Sequence, residues 1–79
     1  MKQRAILTIW NGEYLYHFRL KRGLTQTSIA NMLTQTLGKH ISQPTYSNWE
    51  NLNIEPKGYL TLQALADICR CEVDDFFDF

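Results

Sequence analysis

From Ser42 to Asn51 the chain reads Ser-Gln-Pro-Thr-Tyr-Ser-Asn-Trp-Glu-Asn, and its side chains could do binding chemistry. The carboxamides of Gln43 and Asn48 each offer a donor beside an acceptor, the pattern that matches the N6 and N7 edge of adenine. Tyr46 and Trp49 are three apart and belong on one inward helical face. That leaves Gln43, Pro44, Thr45, Ser47 and Asn48 outside. Without a fold to aim them, exposed Gln and Ser are ordinary surface residues. Cys69 and Cys71 form a C-x-C pair, too close to close a useful disulfide loop and too few for a four-ligand zinc site. Cys69 occupies an apolar helical position, so a packed thiol is the expectation. His17 and His40 have no ligand partner at metal spacing. No nucleophile–base constellation is visible. Neither an enzyme, nor a cofactor, nor a metal, nor a small-molecule substrate is expected.

Helices must hold the run in place. Apolar residues at three- and four-residue spacing predict a first helix over 13–22, stopped at Gly23 behind Lys21 and Arg22. Thr25 sits where an N-cap belongs, and Ile29, Ala30, Leu33 and Leu37 form the next apolar face before Gly38. Ser42 is a second N-cap, with Pro44 in the first turn, where a missing N–H is harmless. Residues 51–58 read as a loop, and Leu60, Leu62, Leu65, Ala66, Ile68 and Cys69 as a further helix. Val73, Phe76, Phe77 and Phe79 alternate with acids in a closing helix or turn. Ala5 to Trp10 predicts a short strand that stops at an Asn11-Gly12 turn; no second strand is evident, so it would pair across a dimer axis or pack as an arm. The expectation is an all-α chain of four or five helices, with residues 1–12 as arm or strand and 13–79 as the domain.

Length and composition bound the rest. Seventy-nine residues with 44% hydrophobic and 20% charged residues make one globular domain. Chains this short bury only about 60% of their unfolded surface, which disfavours a shaped catalytic cavity. No apolar run approaches the roughly 18 residues of a membrane span, and the apolar stretch after Lys2 and Arg4 is too short for a signal peptide. A reducing, cytoplasmic setting is expected from the cysteine usage. Formal charge is zero overall but divided, +5 over residues 1–49 and −5 over residues 50–79. One anion-facing surface would produce such a split; so would simple solubility patterning.

The run Arg19-Leu-Lys-Arg-Gly-Leu-Thr-Gln26, then Ile29-Ala30, then Ser47-Asn-Trp-Glu50, resembles the Cro/repressor-type (XRE-like) helix-turn-helix domain of phage and bacterial regulators. The ending Leu65-Ala-Asp-Ile-Cys-Arg-Cys-Glu-Val-Asp-Asp-Phe-Phe77 is similar to that family's last core helix and closing turn. Between Gln26 and Gln43 the chain is longer than the compact repressors. Leu37-Gly-Lys-His-Ile-Ser-Gln-Pro-Thr45 followed by Glu50-Asn-Leu-Asn-Ile54 resembles the POU-specific branch of the same superfamily. The resemblance covers about residues 13–77.

This resemblance implies a lambda-repressor-like fold in which the helix around residues 43–51 enters the major groove. It implies that Gln43, Pro44, Ser47 and Asn48 face bases, and that Gln26 touches phosphate and braces Gln43. Thr25, Thr27, Lys39, Thr45, Asn51 and Lys57 are the further phosphate candidates. It also implies a structural ion pair between Arg19 and Glu50. With Arg19 used internally, Lys21, Arg22, Lys39 and Lys57 remain as cations for phosphate. Two functions follow as expectations. The first is a sequence-specific regulator of double-stranded DNA, acting as a homodimer like most small regulators of this type. The second is a protein-interaction module on the same fold, antirepressor- or antitoxin-like, favoured by the zero net charge and the acidic second half. The aromatic excess (Tyr14, Tyr16, Phe76, Phe77, Phe79) is expected to cover a dimer interface or to anchor the N-terminal segment.

Overall fold

The computed structural model describes residues 9–78. Helix starts leave backbone N–H groups without partners, and short polar side chains supply them here. Asn11 Oδ1 accepts from the Glu13 N–H at 3.0 Å and opens α1, Gly12–Lys21. Thr25 accepts from the Ser28 N–H at 3.0 Å and opens α2, Gln26–Leu37. Ser42 accepts from the Thr45 N–H at 3.2 Å and opens α3, Gln43–Asn51, with Pro44 in its first turn. Gly38 ends α2 at φ 70°, the left-handed conformation that glycine adopts without strain. α4 spans Tyr59–Cys69, and a 3-10 turn over Val73–Phe76 follows, held by a capping box between Glu72 and Asp75.

Every one of these elements sends side chains to one core. Leu15 of α1, Ile29 and Leu33 of α2, Tyr46 of α3, Leu65 of α4 and Phe76 of the closing turn are fully buried. α2 packs on α3 and α4, and α1 packs on α3 and the closing turn. The result is the expected all-α helix-turn-helix arrangement of four α-helices, with a minimal sheet added.

That sheet corrects two sequence expectations. Strand β1, Ile9–Trp10, has a partner in the same chain: β2, Phe77–Asp78, runs antiparallel to it, with Ile9 opposite Asp78 and Trp10 opposite Phe77. A strand of two residues has no period to detect, and alternating Asp and Phe suits a turn as well as a ladder. Asn11-Gly12 is not a turn but the cap and first residue of α1. Residues 5–8 of the expected strand lie outside the described residues. Of the aromatic excess, Phe76 and Phe77 are buried and hold Trp10, each with its ring centroid 5.6 Å from the indole, which is the anchoring expected of them. Tyr14 and Tyr16 stay exposed, and Phe79 lies outside the described residues.

Candidate nucleic-acid interface

The α2–turn–α3 unit is organised around one buried carboxylate. Glu50, near the end of α3, accepts from Arg19 Nε at 2.7 Å and from Arg19 Nη2 at 3.1 Å, a two-pronged contact from α1 to α3. The Arg19 side chain is 10% exposed and that of Glu50 is 1% exposed, so the pair is desolvated and needs further partners. It has them. Tyr46 Oη and Gln26 Nε2 also donate to Glu50, the latter at 3.0 Å, while Arg19 Nη1 donates to the Leu24 carbonyl at 2.9 Å. Burial alone would push the Glu50 carboxyl up, but hydrogen bonds from Arg19, Tyr46 and Gln26 outweigh it and hold the group below the ordinary carboxylate value. The hydrogen bond to Glu50 raises Arg19, and burial followed by the same carboxylate raises the Tyr46 hydroxyl.

The acceptor character of Glu50 propagates outward. A carboxylate cannot donate, so Gln26 turns its amino group inward and its carbonyl outward. Gln43 Nε2 then donates to Gln26 Oε1 at 2.7 Å. Gln43 keeps a second N–H and its own carbonyl oxygen for a partner outside the protein.

On α3, Gln43, Pro44, Ser47, Asn48 and Asn51 fall within an arc of about 140° at 100° per residue, with Tyr46, Trp49 and Glu50 buried on the other side. Gln43, Pro44, Asn48 and Asn51 are exposed. Ser47 is half-buried, and its Oγ accepts from Asn51 Nδ2 at 2.9 Å, so two expected contacts are joined to each other. Thr45 is exposed and accepts from Ser42 Oγ at 2.9 Å. Thr25 caps α2, Thr27 is exposed beside it, and Lys39 and Lys57 are exposed in the connections before α3 and α4. Neither α2 nor α3 has an acid in its first turn, whereas α1 has Glu13. Neither of these two helix starts therefore carries an acid that would repel an anion.

Arg22 departs from expectation. It is half-buried and its Nε donates to the Ile68 carbonyl at 2.9 Å, tying α1 to the end of α4 rather than standing ready for phosphate. Sequence reasoning also passed over Thr34, which organises the longer connection. Its hydroxyl donates to the Ala30 carbonyl at 3.0 Å and accepts from the Ile41 N–H at 2.9 Å, seating buried Ile41. A mid-helix threonine gives no signal for this, because its partner lies beyond the helix end. Cys69 is buried, and burial pushes its thiol up to about 11, consistent with packing rather than reactivity. Among the described residues, no group of three or more His, Cys, Asp or Glu could hold a metal, and no helix is long and apolar enough to cross a membrane.

Two helices joined through residues 38–42, with the second held by a buried ion pair to the first helix of the chain, define a helix-turn-helix domain. Residues 12–74 match the family model described as the Pou domain, N-terminal to the homeobox domain, and the chain belongs to that family of DNA-binding domains. No curated protein and no solved structure matches the chain. The branch with the long α2–α3 connection is therefore the one that the family match supports.

Proposed function

We propose that the chain is a sequence-specific regulator that reads double-stranded DNA through the major groove with α3. The observation that carries this is the Glu50–Gln26–Gln43 relay: it leaves Gln43 presenting one donor and one acceptor outward, the pair that adenine requires. Asn48, exposed on the same arc, is the second amide reader; Pro44 supplies an apolar contact, and Ser47 a hydroxyl already oriented by Asn51. Gln26, Thr25, Thr27, Lys39, Thr45, Asn51 and Lys57 approach phosphate, with the acid-free starts of α2 and α3 aiding. The broader kinship with Cro/repressor-type regulators, a repressing action at an operator and a cytoplasmic, DNA-associated location belong to this proposal. So does homodimerisation, for which exposed Leu52, Ile54, Tyr59 and Leu60 beyond α3, and exposed Tyr14 and Tyr16 on α1, offer apolar surface.

One observation favours a different reading. The −5 charge of residues 50–79 suits a protein partner rather than DNA. A mobility shift against random and genomic DNA at about 50 mM salt, where phosphate contacts are strong, separates the two. Retarded complexes that survive random competitor support the regulator. Complete absence of binding at that salt supports the protein-interaction module.

A further inference from the structure

The last turn of a helix leaves carbonyls without intrahelical partners, and a buried one is costly unless something donates to it. In α3 the Asn48 carbonyl receives the Leu52 N–H at 3.0 Å, but the Trp49 carbonyl lies under the N-terminal segment. There Trp10 Nε1, from a residue only 5% exposed, donates to it at 2.9 Å. Two positions further on, the Gly12 N–H donates to Asn53 Oδ1 at 2.9 Å, just past the end of α3. A Cβ on Gly12 would collide with the Trp49 and Glu50 carbonyl oxygens, so the backbones touch.

Trp10 is itself held from behind. Its strand pairs with Phe77–Asp78, its ring packs on Phe76 and Phe77, and the Asn11 N–H donates to the Phe76 carbonyl at 2.9 Å. Asp78 accepts from both Tyr14 Oη at 2.5 Å and Asn11 Nδ2 at 3.1 Å, closing the clasp from the C-terminal side. Ile9–Asn11 and Asp75–Asp78 lie outside the stretch that matches the Pou family model, residues 12–74. The clasp thus joins residues on both flanks of that stretch to Gly12, Tyr14, Trp49 and Asn53 within it.

We infer that this clasp positions the reading helix and that Trp10 is the positioning residue, its indole N–H setting the last turn of α3 through the Trp49 carbonyl. That turn carries Asn48, Glu50 and Asn51; the Glu50 carboxylate is fixed separately by Arg19 and Tyr46, so Gln26, and through it Gln43 at the other end, keeps its anchor. Loss of the indole N–H therefore acts unevenly along α3: the turn containing Asn48 loosens, and the start containing Gln43 does not. The effect on DNA rests on the reading proposed above; the effect on the helix does not.

The test uses the full chain with Trp10→Phe, which keeps an aromatic ring in the clasp and deletes the donor. Leu33→Ala is the comparison, a core change in α2, which supplies no part of the clasp. In amide hydrogen exchange, Trp10→Phe is expected to speed exchange in the last turn of α3 by about tenfold relative to α4. Leu33→Ala should speed both together. In binding-site selection, Trp10→Phe should lose preference at the base pair that Asn48→Ala also relaxes and keep the preference that Gln43→Ala removes. Uniform exchange in Trp10→Phe, indistinguishable from Leu33→Ala, overturns the inference. Faster exchange confined to α3 in Trp10→Phe, together with a parent that selects no DNA site, leaves the clasp standing and overturns the DNA reading instead.

Discussion

Glu50 accepts from four donors, two on Arg19 and one each on Gln26 and Tyr46, although its side chain is almost wholly buried. Removing one member of such a pair leaves the other charge desolvated and alone, so Arg19→Ala and Glu50→Ala should each cost about 3–5 kcal/mol in a denaturant titration. Replacing both by apolar residues of similar volume should recover much of that, and single variants with unchanged midpoints would contradict the pairing. The same carboxylate predicts an acid limb. Its folded value lies below its ordinary 4.5, so its contribution is complete above that value and is lost as pH falls toward the folded one. Unfolding midpoints measured downward from pH 6 should therefore drop more steeply in the parent than in Glu50→Gln, which has no proton to take up there.

α1 can approach α3 only because its first residue is glycine. Gly12→Ala drives a Cβ into two backbone carbonyls that no rotamer change can move aside, and a loss of about 1–3 kcal/mol or more is expected from thermal melting. Arg70 shows the opposite opportunity: it ends α4 at φ 58°, a conformation that costs a residue with a Cβ about 1–2 kcal/mol. Arg70→Gly should raise the midpoint by several degrees, at about 4–8 °C per kcal/mol for a domain of this size. The elements that the sequence made legible are those whose determinants are local. Thr25, Ser42 and Gly38 act within a few residues of themselves, and so their helix boundaries could be read directly. β2 could not be read, being two residues long. Nor could the Trp10–Trp49 bond, whose partners are 39 residues apart and share no pattern. The Arg19–Glu50 pair, at a separation of 31, was reachable only through family resemblance. Arg22 was misjudged because a cation at a helix end looks the same whether it meets solvent or a distant carbonyl.

Across the molecule, charge is what distinguishes weak general attraction from reading. With Arg19 and Arg22 engaged internally, Lys21, Lys39 and Lys57 are the exposed lysines among the described residues. At about −0.9 per neutralised phosphate, they give a log–log salt slope near −3, steeper if further cations such as exposed Arg70 also engage. A slope near zero in a fluorescence titration would exclude phosphate contact by these lysines. Self-association belongs to the same level: sedimentation of Tyr59→Ser or Leu60→Ser should shift the protein toward monomer if the exposed apolar residues beyond α3 form the proposed dimer face. The central claim is that α3 reads bases through an amide oriented from the core. Its most direct test is binding-site selection with parent and Gln43→Ala, beside a melting curve for each. The account predicts equal melting and a loss of about 1–3 kcal/mol of preference at a single base pair in Gln43→Ala. The same selected site, bound with the same affinity by both proteins, would contradict it.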